Sequence, residues 1–304
     1  MQQFRHLYLL FVVLCANAQY GPVPSFFNIQ RELPLVNLNT STTISVADYG
    51  AVVNDGIDDT AAINNAIGAA MSAASAQNPV RLLFENGTYN LSSTSTNTHI
   101  ITINGASNIL WDGQNAEFMI NTPTIGFLNL VNCTNFIVKD ISVDYSTLPF
   151  TQGKITAVNI GSGFFEFDVD PGFLPPTNGL FVNAPERWGM IKTINGAIKK
   201  GTANLIPANG FTLISGNKYR ANNLSGQLTN IVVGDYFVHM ARNNGRTIIR
   251  NNGGKNITYL NVTAYASPAG GFNAADSEEW NVLNCAIKLK SNRVHSINAD
   301  CMHV

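Results

Sequence analysis

Asp276 and Asp300 close two similar phrases, Asn273-Ala274-Ala275-Asp276 and Asn298-Ala299-Asp300, and stand 24 residues apart. Two such carboxyl groups could break a glycosidic bond. One would protonate the departing oxygen while the other activates water or attacks directly, provided they sit about 5 to 9.5 Å from each other. Each also has a plainer use, because an aspartate at a turn accepts backbone hydrogen bonds, and Glu278 and Glu279 beside Asp276 point to a solvated turn. No nucleophile elbow, phosphate loop or dinucleotide fingerprint is present. The acidic group Asp55, Asp58 and Asp59 lacks the alternating ligands and distant glutamate of a calcium loop. No metal site and no cofactor are expected.

Carboxylates with this spacing meet only if the chain returns to the same place about every 24 residues, and the sequence repeats itself on that scale. Ser107-Asn108-Ile109-Leu110-Trp111-Asp112 is echoed 27 residues on by Thr134-Asn135-Phe136-Ile137-Val138-Lys139. Lys255-Asn256-Ile257-Thr258-Tyr259-Leu260 is echoed 23 residues on by Glu278-Glu279-Trp280-Asn281-Val282-Leu283. Each unit is an Asn or acidic turn leading into a short alternating strand, too small to bury an apolar side alone. Stacked rungs share a core and pair their backbones at about 4.8 Å. The expected class is therefore all-β, a right-handed parallel β-helix with Asp276 and Asp300 on neighbouring rungs of one face. A sandwich with hairpins at similar spacing is the alternative, and the recurrence of one phrase counts against it.

A helix from about Thr60 to Ala74, capped by the acidic group, carries Ile63, Ile67 and Met71 on one face and is expected to cover the open end of the stack. Between 151 and 234 the coil phrase gives way to simple alternation, as in Phe164–Val169 and Phe211–Ile214, which reads as an inserted small antiparallel β-barrel or sandwich. The segments expected are a signal peptide at 1–18, an extended strap at 19–44, coils with the capping helix at 45–150, the insertion at 151–234 and further coils at 235–304. The run Val233–Arg242 would bring the chain back to the stack. His239 and Arg242 would then flank a sugar-binding cleft, or else be ordinary surface residues.

Charged residues make up only 12% of the 304 residues and the net charge is -1, which leaves no basic field for nucleic acid. The abundance of Asn, Gly, Ser and Thr suits hydroxyl-rich partners. Arg5 and His6, the apolar run Leu7–Cys15 and Ala16-Asn17-Ala18 form a secretory leader too short to span a bilayer. Secretion is expected, with no membrane insertion once the leader is removed. Sequons begin at Asn39, Asn86, Asn90, Asn132, Asn223, Asn256 and Asn261. Cys133, Cys285 and Cys301 allow at most one disulfide, and Cys133 and Cys285 read as small buried residues.

Asp48-Tyr49-Gly50-Ala51, Asn54-Asp55-Gly56 and Asp58-Asp59-Thr60-Ala61-Ala62-Ile63 resemble the N-terminal signature of pectate-lyase-like β-helix proteins of the rhamnogalacturonase and epimerase kind. The insertion, the run through Asp235 and Arg242, and the closing Arg293–His303 are similar to β-helix glycoside hydrolases of the α-1,3-galactosidase type, although Cys301 stands where they have glycine. The resemblance implies Asp300 as a catalytic carboxyl, with His303 and Arg293 to orient it or bind hydroxyls. It also implies a polysaccharide or glycoconjugate glycan, with galactose among its sugars, as substrate. Beside such proteins this chain is expected to be truncated at its C-terminus. A lyase or epimerase relative, a non-catalytic glycan-binding β-helix and an inactive fragment remain as alternatives.

Overall fold

The computed structural model describes residues 37–93, 97–205, 207, 210–222, 224 and 226–304. The leader, most of the 19–44 strap and the sequon at Asn223 lie outside them. Two parallel sheets form the walls of a coil. One holds β1 (Thr42–Ser45), β2 (Val80–Leu83), β5 (Ser107–Ile120), β7 (Thr134–Tyr145), β16 (Lys255–Ala264) and β18 (Glu278–Leu283) in that order, with β3 (Thr88–Leu91) on β5 and β19 (Ala286–Ile287) on β16. The other holds β4 (His99–Asn104), β6 (Gly126–Val131), β15 (Ile249–Asn252), β17 (Phe272–Ala275) and β20 (Met302–His303). The first rung starts at Thr42, paired with Val80, so the coil begins inside the stretch read as a strap.

Ser107 lies opposite Thr134 and Lys255 opposite Glu278. The sequence echoes are thus single turns of the coil. The Asn-rich phrases mark its corners. Asn108, Asn135, Asn256 and Glu279 form one file, and Asn115, Asp140, Asn261 and Asn284 another, all with φ between 50° and 65°. Most L-residues pay about 1–2 kcal/mol in this left-handed region, whereas Asn and Asp tolerate it. The side chains also bond from rung to rung. Asn135 Nδ2 donates to Asn108 Oδ1 at 3.0 Å and Asn256 Nδ2 to Asn135 Oδ1 at 2.9 Å. In the second file Asn261 Nδ2 donates to Asp140 Oδ1 and Asn284 Nδ2 to Asn261 Oδ1, both at 2.6 Å. Two of the sequon asparagines, Asn256 and Asn261, therefore already use the nitrogen a glycan would take.

Inside the coil Phe84, Tyr89, Trp111, Phe118 and Phe127 are almost fully buried, with Phe84 stacked on Trp111 at 4.6 Å. Helix α1 (Thr60–Ala73) buries Ile63, Ala66, Ile67 and Ala70 against the first strands. Its acidic lead works differently from a simple cap. Asp58 accepts from the Thr60 N–H at 3.0 Å, while Asp59, at the cap position, turns away to accept from Val52 and Asn90. Burial raises the Asp59 pKa despite those two bonds.

A third, antiparallel sheet interrupts the coil. Its strands are β8 (Phe150–Asn159), β9 (Phe164–Val169), β10 (Glu186–Lys192), β11 (Ile198–Leu205), β12 (Phe211–Ser215), β13 (Lys218–Ala221) and β14 (Tyr236–Arg242), ordered β11-β10-β14-β8-β9-β13-β12, with the short helix α2 (Gly179–Val182) before β10. Phe150, Val238 and Met240 join the coil's core, whereas Phe165, Phe167, Ile191 and Phe237 make a separate one. The sheet curls enough to set Phe211 of β12 5.9 Å from Phe237 of β14. The run through Arg242, expected to rejoin the coil, is instead a central strand of this sheet. It alternates apolar residues to two different cores, and the chain returns to a coil strand only at Ile249.

Candidate functional site

The five-stranded sheet presents one polar file of residues. Thr102 pairs with Asn129, Asn129 with Arg250, Arg250 with Asn273 and Asn273 with His303, each half-buried or exposed. Rungs at about 4.8 Å place these side chains at regular steps. Asp300 sits just before the last strand, its side chain 73% exposed and 3.5 Å from His303 Nδ1. The Gly270-Gly271 pair opposite lets the backbone close up. Gly271 N donates to Asp300 O and Phe272 N to Cys301 O, both at 3.0 Å, and a Cβ on Gly270 or Gly271 would lie 2.9 or 2.5 Å from those oxygens. Cys301 has no positive φ, so the glycine of similar proteins is not required there.

The sequence pairing of Asp276 with Asp300 does not hold. Phe272 lies opposite Met302, a step of 30 residues, because the loop between β19 and β20 lengthens this turn. Asp300 therefore faces Gly270, and Asp276 is six residues farther along the strand at an exposed left-handed corner with φ 49°. That offset is roughly 15–20 Å, beyond the separation at which two carboxyls share one glycosidic bond.

Arg293 is also elsewhere. Its guanidinium grips Asp144 in a bidentate pair at 2.7 and 3.1 Å, and Asp144 is 1% exposed. Lys290 bridges Asp144 and Glu117 at 2.8 and 2.7 Å. The loop is held at two more points. Gln152 donates to the Asn292 carbonyl and accepts from Val294 N, and Asn298 Nδ2 donates to the carbonyls of Pro149 and Ala241, where the antiparallel sheet begins and ends. His239 lies in that sheet's interior against Phe181, Phe211 and Phe237, and burial, followed by the nearby Arg187 charge, lowers its pKa to about 4. A neutral, enclosed imidazole is a core residue and not part of a cleft. Arg242 pairs with Glu186 at 3.2 Å and lies over the Trp188 ring. Both residues left the coil with the strand that carries them.

Asn273 beside His303 and Arg250 one rung beyond it are the members of this file that the sequence reading missed. The 23-residue echo, extended back by five residues from Lys255, would have aligned them. Among the described residues no three His, Cys, Asp or Glu side chains gather to hold a metal ion, and no helix is long and apolar enough to cross a membrane. Cys133, Cys285 and Cys301 are all free, and burial pushes the Cys285 thiol up to about 12.

Residues 43–160 match the family model described as Rhamnogalacturonase A/epimerase, pectate lyase-like. Among solved structures, a hyperthermoactive exopolygalacturonase from Thermotoga maritima is similar at 14% identity, over 87% of this chain and 50% of that one, with a TM-score of 0.43. PfbA, a surface adhesin of Streptococcus pneumoniae, aligns at 15% identity over 84% of this chain and 65% of that one, with a TM-score of 0.21. The chain spans about half the length of the exopolygalacturonase. No curated protein matches it. The strands from β1 to β8 are thus similar to the pectate-lyase-like family model, and the later rungs continue the same parallel coil beyond it.

Proposed function

We propose that this protein is a secreted, carbohydrate-active β-helix that hydrolyses an extracellular glycan, with Asp300 as acid or base and His303 as its orienting partner. The observation that carries the reading is the exposed Asp300 carboxyl beside His303, at the end of the polar file Thr102–Asn129–Arg250–Asn273–His303. An extended glycan laid along that file would meet a hydroxyl-binding side chain at every rung. The resemblance of the closing residues to α-1,3-galactosidases makes galactose-containing glycans the first substrates to try.

The test is turnover of a glycan panel, following reducing ends and the ultraviolet absorbance of unsaturated products. Hydrolysis gives reducing ends without absorbance, whereas absorbance would establish a lyase and sink the proposal. Asp300→Asn is expected to lower kcat by about 100-fold or more with glycan affinity little changed. The distance of Asp276 supports a second reading, a glycan-binding β-helix without turnover, because that residue cannot supply the second carboxyl. Glycan binding with no reducing ends formed, unaltered by Asp300→Asn, would favour it.

A further inference from the structure

A groove of about 510 Å³ opens between the antiparallel sheet and the loop that precedes Asp300. Gln152, Asp170 and Tyr236 line it from the sheet side, and Asn292 and Arg293 from the loop, with Pro171 and Ile194 adding apolar surface. Its volume is that of a small-ligand site. We propose that this groove is a second glycan subsite, separate from the Asp300 face and selective for uncharged hexose over uronate. The inference rests on the carbohydrate reading above.

The charges decide the selectivity. Arg293, the one cation in the lining, is already neutralised by Asp144, and Lys290 beside it by Asp144 and Glu117, while Lys288 of the same loop is exposed and outside the lining. Lys192 and Lys154, the neighbours of Tyr236 in register, lie outside the lining, one buried and the other exposed. Asp170 is the remaining charge of the lining. Its Oδ2 accepts from Gln152 Nε2 at 2.7 Å, and burial raises its pKa against that bond. A hydroxyl can donate to this carboxyl, whereas a uronate carboxylate would meet a like charge with no unpaired cation in the lining to offset it. Gln152, 1% exposed, has both ends of its amide bonded and fixes the groove's floor before any ligand arrives. The Tyr236 ring offers a flat surface for the C–H face of a pyranose.

The experiment titrates a galacto-oligosaccharide, and the same oligosaccharide oxidised at C6 to the uronate, into the full chain and its Tyr236→Ala, Asp170→Asn and Asp300→Asn variants, each checked for an unchanged thermal melt. The neutral ligand is expected to bind the parent and Asp300→Asn alike and to bind Tyr236→Ala about tenfold more weakly. The uronate should bind the parent at least about tenfold more weakly than the neutral ligand, and Asp170→Asn should close that gap. Equal binding of the two ligands to the parent, binding of neither, or binding weakened by Asp300→Asn but by neither groove variant would each overturn the subsite. Turnover measured in the same samples separates the two claims. Groove-dependent binding without hydrolysis removes the hydrolase reading and leaves the subsite standing. Hydrolysis with groove-independent binding does the reverse.

Discussion

Three histidines, His99, His239 and His295, are 0, 4 and 3% exposed, and each is held neutral by its surroundings. Burial is the largest cause in every case, joined by Arg250 for His99, Arg187 for His239 and Lys192 for His295, and the pKa values fall to about 3, 4 and 3. The unfolded chain would protonate these rings near their ordinary value of about 6.5. Above that pH they leave stability unchanged. As the pH falls below it, the unfolded state takes up protons that the folded state refuses, and each ring lowers stability by about 1.4 kcal/mol per pH unit until its folded pKa is reached. The thermal midpoint should therefore be nearly level between about pH 7 and 8 and drop steeply between about pH 6 and 4.5. His239→Phe, set among three phenylalanines, should reduce the slope by about a third. A midpoint that does not move between pH 7 and 5 would contradict the burial of these rings.

At the scale of the element, the corner files hold the coil's shape by two separable effects, backbone tolerance and side-chain bonding. Asn135 contributes both, being left-handed at φ 51° and bonded to the rung on either side. Replacing it with alanine removes both bonds and strains the backbone, whereas glycine removes the bonds alone. Denaturant unfolding should show Asn135→Ala costing about 2–4 kcal/mol and Asn135→Gly about 1–2 kcal/mol less than that. Equal costs would mean that the left-handed corner carries no strain. These corners were legible as a repeated Asn-plus-strand phrase because the backbone region they occupy admits few residue types. The length of each turn was not. The 23- and 27-residue echoes are true registers, but the closing turn takes 30 residues, and a loop outside the ladder leaves no periodic trace of its length.

Across the whole molecule, the loop from Lys288 to Ala299 ties the coil to the antiparallel sheet and delivers Asp300. Asn298, 1% exposed, bonds the carbonyls at both junctions of the sheet, and its Oδ1 lies 3.0 Å from His295 Nε2. Asn298→Ala should destabilise the fold by about 2–4 kcal/mol, through the loss of two buried hydrogen bonds to carbonyls and of the partner of His295 Nε2. It should also expose the Lys290 and Arg293 bonds to trypsin under native conditions. Native resistance to trypsin in that variant would show that the Arg293, Lys290 and Gln152 contacts hold the loop without Asn298.

The sequence alone determined the coil, its corners, the capping helix and the interruption by alternating strands. Those features follow from local rules: which residues tolerate a left-handed corner, which alternate, and which recur every four positions. Only the tertiary structure decided which polar residues meet. Asp276 and Asp300 share a phrase but not a position, because register is fixed by hydrogen bonding between rungs and shifts with every loop between them. Arg293, His239 and Arg242 carry the chemistry expected of a sugar site, yet one is held by a buried carboxylate, one is enclosed by aromatic rings and one pairs with Glu186. Arg250 and Asn273 reached the exposed file beside His303 through strand pairing alone. Residue type declares what a side chain can do, and the neighbours supplied by packing decide whether it is free to do it.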